Sequence, residues 1–165
     1  MEIEKSLRLE AAPAQVWALL LDPTAMMSCV PGMQSVDVLG PDEYLAKMKV
    51  SFSFVSASFT LRTRIVESVP PSRLRAEGTG EENALASSLR QRTDITLEPE
   101  DGGTRLQLKV TLDLVGRLGT FGLAPMKTKA DRLWDEFGRR LAERLAPLGQ
   151  DAPRYDDSQA RPGPA

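Results

Sequence analysis

The chain has 165 residues, of which 41% are hydrophobic and 27% charged, so it is long enough for one domain with its own core. A net charge of -2 without any basic block argues against a general nucleic-acid binder. The absence of histidine and the single cysteine exclude Ser-His-Asp and Cys-His catalysis, an intrachain disulfide, and zinc sites built from histidines or several thiolates.

The first part of the chain predicts one strand followed by two short helices. Ile3, Leu7 and Leu9 alternate with charged residues, as in a half-buried strand. In the segment APAQVWALLLD, Pro13 suits the first helical turn and apolar residues recur at helical spacing. This helix should end just before Pro23, because the residue preceding a proline disfavours helical geometry. The segment PTAMMSCV then predicts a second short helix, which the Pro-Gly step of SCVPG ends.

A period of two follows and predicts six consecutive antiparallel strands, separated by turn signals such as GPD, PPS and EPEDGG. The strand segments are MQSVDVL, EYLAKMKVSFS, VSASFTLRTRIVE, RLRAEGTG, ALASSLRQRTDITLE and TRLQLKVTLDLVG. Ser87, Gln91 and Thr93 take the inward parity of one strand. They either face water at an open end or donate hydrogen bonds to a ligand. The neighbouring carboxylates Glu81 and Glu82 are expected to be solvated charges in a loop.

From about Phe121 to Leu148, apolar residues recur every three or four positions and predict one amphipathic helix of roughly 25 residues, about 37 Å long. The fold class is therefore α+β, with a curved antiparallel sheet of about seven strands wrapped round a long C-terminal helix and two short helices after the first strand. We expect a domain over residues 1–148, a flexible polar tail over 149–165, and a cavity between the sheet and the long helix.

The stretch LLDPTAMMSCVPG contains the only cysteine of the chain, Cys29, beside two methionines. A reactive thiol needs a base or a positive neighbour, and no Lys or Arg occurs between Asp22 and Lys47. Two interpretations stay open for this stretch: a buried turn filled by soft side chains, or the wall of a ligand cavity.

The pattern resembles the helix-grip layout of the START/Bet v 1-like (SRPBCC) superfamily and, more narrowly, the CoxG family of carbon monoxide dehydrogenase components. The resemblance spans roughly Glu2 to Pro147. Its most specific part is the Cys-Val-Pro-Gly element behind the VWALLLDP helix. It is also carried by the segments SCVPGMQSVD, YLAKMKV, VSASFTLRTRIVESVPPSRL, EGTGE and DGGTRLQLKV. Two features differ from many members: Ser53-Phe54 stands where a Gly-Pro hairpin is common, and the end of the sequence is polar.

The resemblance implies a non-enzymatic accessory protein. Its function would be to bind an apolar, quinone-like molecule in the sheet–helix cavity and to serve a CO-dehydrogenase-type molybdenum hydroxylase in assembly, membrane recruitment or electron-acceptor delivery. No covalent cofactor is expected, only a non-covalent quinone or other lipid, and no metal or nucleic acid. The charged opening residues and the lack of a membrane-length apolar run predict a cytoplasmic protein with at most peripheral contact with the inner face of the membrane.

Two alternatives remain at this level. One is a helix-grip enzyme of the cyclase or hydrolase kind that acts on a hydrophobic substrate, for which Tyr44 is the candidate with inward parity. The other is an interaction module with a filled core and no ligand. For the carrier hypothesis, the predicted ligand-binding side chains are those expected to face the cavity. They are Trp17, Met26, Met27, Cys29, Met48, Phe52, Phe59, Leu61, Ser87, Leu89, Gln91, Leu108, Met126, Leu133, Trp134 and Phe137.

Overall fold

The structure is a computed structural model that describes residues 1–52 and 55–150. The Ser53-Phe54 pair and residues 151–165 of the predicted tail lie outside the described residues. In chain order the elements are β1 (Glu2–Leu9), α1 (Pro13–Leu20), α2 (Pro23–Cys29), β2 (Met33–Gly40), β3 (Glu43–Ser51), β4 (Ser56–Val69), β5 (Arg73–Glu82), β6 (Ser87–Glu100), β7 (Gly103–Val115), a 3-10 turn (Leu118–Phe121) and α3 (Leu123–Gln150).

The strands form one antiparallel seven-stranded sheet in the order β1-β7-β6-β5-β4-β3-β2. Strands β2 to β7 follow one another as neighbours, and β1 joins beside β7, so the sheet has β1 and β2 at its two edges. The predicted fold class is confirmed: a curved antiparallel sheet, two short helices after the first strand, and a long C-terminal helix. Helix α3 ends two residues later than the sequence pattern indicates.

The Asp-Pro step between the two short helices ends one helix and begins the next. Helix α1 ends at Leu20, and the Asp22 carboxylate accepts hydrogen bonds from Thr24 N at 2.9 Å and Ala25 N at 3.4 Å. Pro23 occupies the first position of α2, where a missing N–H costs nothing. Asp22 is therefore the N-cap of α2, which fixes the angle between the two helices.

The Pro-Gly step after α2 brings the chain against the sheet. Gly32 has a φ of +81°, and a Cβ at this position would lie 2.2 Å from the carbonyl oxygen of Lys49. In return, Lys49 N donates a hydrogen bond to Gly32 O at 2.9 Å. A side chain could not be accommodated here, so glycine is required for the close approach between this turn and β3.

The apolar interior is divided into two clusters. The main core joins β1, β7, α1, α2 and the second half of α3, where Leu141 and Leu145 are fully buried. A smaller cluster at the other end contains Phe59 and Leu118, and Leu118 comes from the 3-10 turn before α3. The two clusters hold the two ends of the long helix against the rest of the molecule.

Polar contacts fix α3 on two sides. Lys5 on β1 forms ion pairs with Asp131 at 3.5 Å and Asp135 at 3.0 Å. On the side of α2, Arg144 Nη1 donates to Ser28 Oγ at 2.8 Å. Exposed ion pairs contribute little stability each, so their main consequence is the rotation of α3, which decides which residues face the sheet.

Candidate ligand-binding site

A cavity of about 250 Å³ lies between the concave face of the sheet and the first half of α3. It is surrounded by side chains of β2, β3, β4, β6, β7 and α3 and by the turn between α2 and β2. The lining residues are Met1, Val30, Pro31, Met33, Ala46, Met48, Val50, Phe52, Phe59, Leu61, Thr63, Leu89, Gln91, Leu112, Leu114, Met126, Lys129, Ala130, Leu133, Trp134 and Phe137.

One face of α3 forms the helical wall. Its lining residues recur at three- and four-residue steps, because such positions share one side of a helix. The rings of Trp134 and Phe137 meet edge to face, with centroids 5.4 Å apart and planes at 82°. This geometry is favourable for aromatic pairs and presents a rigid apolar surface toward the sheet.

Several apolar side chains on the inner wall stay half-buried although they point between sheet and helix. Leu61, Leu89, Leu114 and Leu133 all behave in this way. In a filled core such residues would be almost fully covered, because protein interiors pack as densely as organic crystals. Their remaining exposure is the signature of a hollow interior.

Strand β5 contributes no large side chain to the middle of this wall. A Cβ at Gly80 would lie 2.5 Å from Leu61 Cδ2 and 3.0 Å from Leu89 Cγ. Gly80 therefore allows the leucines of the two flanking strands to approach each other over β5. The EGTGE segment, which does not have the form of a phosphate loop, is a strand whose small residues shape the cavity wall.

Polar groups are few in the lining. Thr63 and Gln91 lie in one row across the sheet, on either side of Gly78, and Lys129 lies opposite on α3. Lys129 is the only lining residue with a charged side chain. A molecule in this cavity would meet an almost wholly apolar surface with a polar group at three points.

The structure brings most of the predicted ligand-binding residues together around the cavity. Their contact with a ligand stays a prediction. The ones that line the cavity are Met48, Phe52, Phe59, Leu61, Leu89, Gln91, Met126, Leu133, Trp134 and Phe137.

The remaining predicted residues lie elsewhere. Trp17, Cys29 and Leu108 belong to the main core, and Met26 packs against that core. Met27 is half-buried on α2 and does not line the cavity. The physical reason is that α1 and α2 pack on the filled end of the molecule, so only the turn that follows α2 reaches the cavity.

Sequence reasoning missed other lining residues on the same elements. Ala46 and Val50 share the parity of Met48, and Leu112 and Leu114 share the parity of other inward residues of β7. Parity is a sufficient signal for these four. It is not sufficient for Lys129, because a lysine in a helix usually faces solvent. Val30, Pro31 and Met33 follow only from the position of the turn.

The comparisons with known proteins agree with this architecture. A family model, CoxG, whose description names a component of carbon monoxide dehydrogenase, matches residues 6–146, which is most of the chain. The chain belongs to the CoxG family. No protein with a curated description matches the sequence.

Solved structures similar to this CoxG-family chain share its fold at low identity. A conserved protein from Geobacillus kaustophilus has a TM-score of 0.82 at 21% identity, over 89% of this chain and 96% of that one. A START superfamily protein from Mycobacterium smegmatis has a TM-score of 0.68 at 13% identity, over 89% of this chain and 98% of that one. At these identities the similarity establishes a START-like fold and nothing about the ligand.

Ser87 is used by the fold of this CoxG-family chain and does not line the cavity. Its hydroxyl donates to Leu85 O at 3.0 Å and accepts a hydrogen bond from Leu118 N at 2.9 Å. The predicted inward parity is correct, but both hydrogen-bonding functions of the hydroxyl are taken by backbone groups. Ser87 therefore anchors the 3-10 turn to the start of β6.

Replacing Ser87 by Ala is expected to lower the free energy of unfolding by about 1–3 kcal/mol, because Leu118 N would stay buried without an acceptor. Urea denaturation measures this loss. Ser88→Ala is the matched control, since Ser88 lies next to it on β6 with outward parity, and it should change stability little. Equal losses in the two variants would contradict the anchoring role of Ser87.

Glu82 is a correction to the expectation of a solvated pair, whereas Glu81 is exposed as predicted. Glu82 is 4% exposed, and its carboxylate accepts hydrogen bonds from Leu85 N at 2.8 Å and Ser58 N at 3.1 Å. These backbone donors, Leu85 first, hold the pKa of Glu82 below its usual value. The carboxylate thus shapes the β5–β6 loop and takes no part in the cavity.

Three further observations concern reactive groups. Within residues 1–52 and 55–150, no three His, Cys, Asp or Glu side chains converge in a way that could hold a metal ion. The thiol-bearing Cys29 is 1% exposed within the main core, and Thr93 has a buried hydroxyl without a hydrogen-bond partner. In the part of the chain that the structure describes, no helix is long and apolar enough to cross a membrane.

Proposed function

We propose that this CoxG-family protein binds an apolar, quinone-like molecule in the cavity and serves as an accessory factor of a CO-dehydrogenase-type molybdenum hydroxylase. The observation that carries the proposal is the hollow between sheet and helix, lined by methionine, leucine and aromatic side chains. Methionine and aromatic side chains adapt to and stack on planar apolar rings. Membership of the family supports a hydrophobic-ligand-binding or accessory role.

The size of the cavity favours the ring of a ligand over a whole lipid. Pockets for drug-sized ligands usually enclose about 300–1,000 Å³, and this one has about 250 Å³. A one- or two-ring head group suits such a volume, whereas a long isoprenoid chain would have to continue outside. The proposed mode of binding therefore encloses the ring and leaves the tail accessible to a membrane or to a partner.

The lining gives little support to the enzyme alternative. Its only ionisable side chain is Lys129, and general acid–base chemistry needs a positioned pair of proton donor and acceptor. Tyr44, the candidate from its inward parity, pairs with Thr63 across β3 and β4 but does not line the cavity. The hollow also does not suit an interaction module with a filled core.

The partner part of the proposal rests on the family. The CoxG description ties the family to carbon monoxide dehydrogenase, and we extend that association to a molybdenum hydroxylase of this kind. A carrier that exchanges quinone with a membrane would work at the cytoplasmic side, in peripheral contact with the inner face. Faster reduction of a quinone analogue by the purified hydroxylase in the presence of this protein would support the association, and an unchanged rate would contradict it.

Ligand binding can be tested with the two tryptophans, since Trp134 lines the cavity and Trp17 lies in the main core. We expect a short-chain menaquinone analogue to quench the fluorescence of a Trp17→Phe variant, in which Trp134 reports alone. A Trp134→Phe variant, in which Trp17 reports alone, should respond weakly. Extraction of the purified protein with organic solvent, followed by mass spectrometry, should also release a co-purified quinone. No extracted lipid together with no quenching of Trp134 would refute the proposal.

A further inference from the structure

Lys129 occupies an unusual position for a charged residue. It lies on the face of α3 that lines the cavity, one turn after Met126 and one turn before Leu133, and it is half-buried. The other lining residues of this helix are apolar. A lysine in such a stripe interrupts the apolar face of an amphipathic helix and requires a physical reason.

The acidic residues near Lys129 in sequence are engaged elsewhere. Asp131 pairs with Lys5 at 3.5 Å and with Lys127 at 3.5 Å, and Asp135 pairs with Lys5 at 3.0 Å. No acidic residue stands three or four positions from Lys129 in either direction. Among the described residues, no carboxylate forms an ion pair with its ammonium group. The protein thus supplies a cation at the cavity without supplying its counter-charge.

The rotation of α3 places Lys129 on a defined side of the cavity. Arg140 follows it by eleven residues, which is three helical turns, so the two lie on the same side of the helix. Arg140 Nη1 donates to Ser28 O at 3.5 Å, at the end of α2. Lys129 therefore lies on the side from which Val30 and Pro31 line the cavity.

An ordinary explanation is that the aliphatic stem of Lys129 covers apolar surface while its ammonium reaches water. That explanation accounts for half-burial, but it predicts that Lys129 has no effect on what the cavity binds. An ammonium has three hydrogen-bond donors and no acceptor, so a bound molecule can satisfy it only with an acceptor oxygen.

We propose that Lys129 binds the acceptor oxygen at the polar end of the ligand, a ring carbonyl or a carboxylate, and so orients the molecule within the apolar cavity. This inference rests on the proposed function and adds the residue that selects the head group. Hydrogen bonds from a charged donor are about twice as strong as neutral ones. The ligand class is therefore an amphiphile with an apolar body and an oxygen acceptor at one end.

The test is isothermal titration calorimetry of wild type, Lys129→Met, Lys129→Arg and Lys127→Met. Three probes are used: a short-chain menaquinone analogue, dodecanoate, and an alkylnaphthalene that has a similar ring but no oxygen. Lys127→Met is the matched control, because Lys127 is exposed on the same helix, pairs with Asp131 and does not line the cavity. Circular dichroism confirms that each variant is folded.

We expect Lys129→Met to raise the dissociation constant of an oxygen-bearing probe about tenfold or more, and to leave that of the alkylnaphthalene unchanged. Lys129→Arg should retain most of the affinity, and Lys127→Met should match wild type for every probe. Loss of affinity for the quinone analogue identifies a carbonyl as the acceptor, and loss for dodecanoate identifies a carboxylate.

Two outcomes overturn the inference, and they differ in what they say about the proposed function. If wild type binds the probes and Lys129→Met binds them equally well, or weakens all three alike, the role of Lys129 is refuted and the carrier function stands. If wild type binds none of the three, both the inference and the proposed function fail.

Discussion

Replacing Ala46 by Phe should weaken binding of a menaquinone analogue at least tenfold and leave the urea midpoint unchanged or higher. Ala46 lies on the inner side of β3 and lines the cavity, so the added ring would occupy the space that we assign to the ligand. Filling an existing hollow adds apolar contacts without displacing neighbours. Fluorescence titration gives the affinity, and urea denaturation gives the stability.

The control for this variant is Ala57→Phe. Ala57 lies on the same face of the neighbouring strand β4, but it is fully buried in the smaller cluster and does not line the cavity. Overpacking of a filled region costs about 1–3 kcal/mol. Comparable destabilisation in the Ala46→Phe variant would show that the region between sheet and helix is filled, and it would contradict the carrier function.

The fold could be predicted because each element has one apolar face with a clear period. The alternation of TRLQLKVTLDLVG determines which side of β7 faces inward, and a single-residue slip would reverse every side chain. The helix has one apolar stripe, and the six consecutive strands leave little choice of topology. Capping signals such as Asp22-Pro23 add the boundaries of the short helices.

The position of a residue along its element could not be predicted in the same way. Leu108 and Leu112 have the same parity on β7, but Leu108 packs in the main core and Leu112 lines the cavity. Periodicity identifies the face of a strand, and the boundary between core and cavity depends on how α1, α2 and α3 pack over that face. This is why an inward, apolar position is not enough to place Trp17 and Cys29, which lie in the core and not at the cavity.

Polar residues with inward parity pose a different difficulty. Ser87 and Gln91 have equal parity on β6, but the hydroxyl of Ser87 is used by backbone groups while Gln91 lines the cavity. Glu82 is buried because two backbone N–H groups converge on it. Such partners come from distant or irregular segments, so no sequence period contains them.

A second expected result concerns stability along α3. Leu141→Ala should lower the free energy of unfolding by about 2–5 kcal/mol, because Leu141 is fully buried in the main core and its truncation leaves a new void. Leu133→Ala makes the same chemical change two turns earlier, where the side chain is half-buried and faces the cavity. The cost there should be markedly smaller, because Leu133 already lacks neighbours on one side.

Urea denaturation of both variants with and without a saturating menaquinone analogue separates packing from binding. Without ligand, equal losses at the two positions would mean that the helix packs tightly along its whole length, which would contradict the cavity. With ligand, wild type and Leu141→Ala should gain similar stability, since mass action depends only on affinity for the folded state. Leu133→Ala should gain less, because it has lost part of the wall that contacts the ligand.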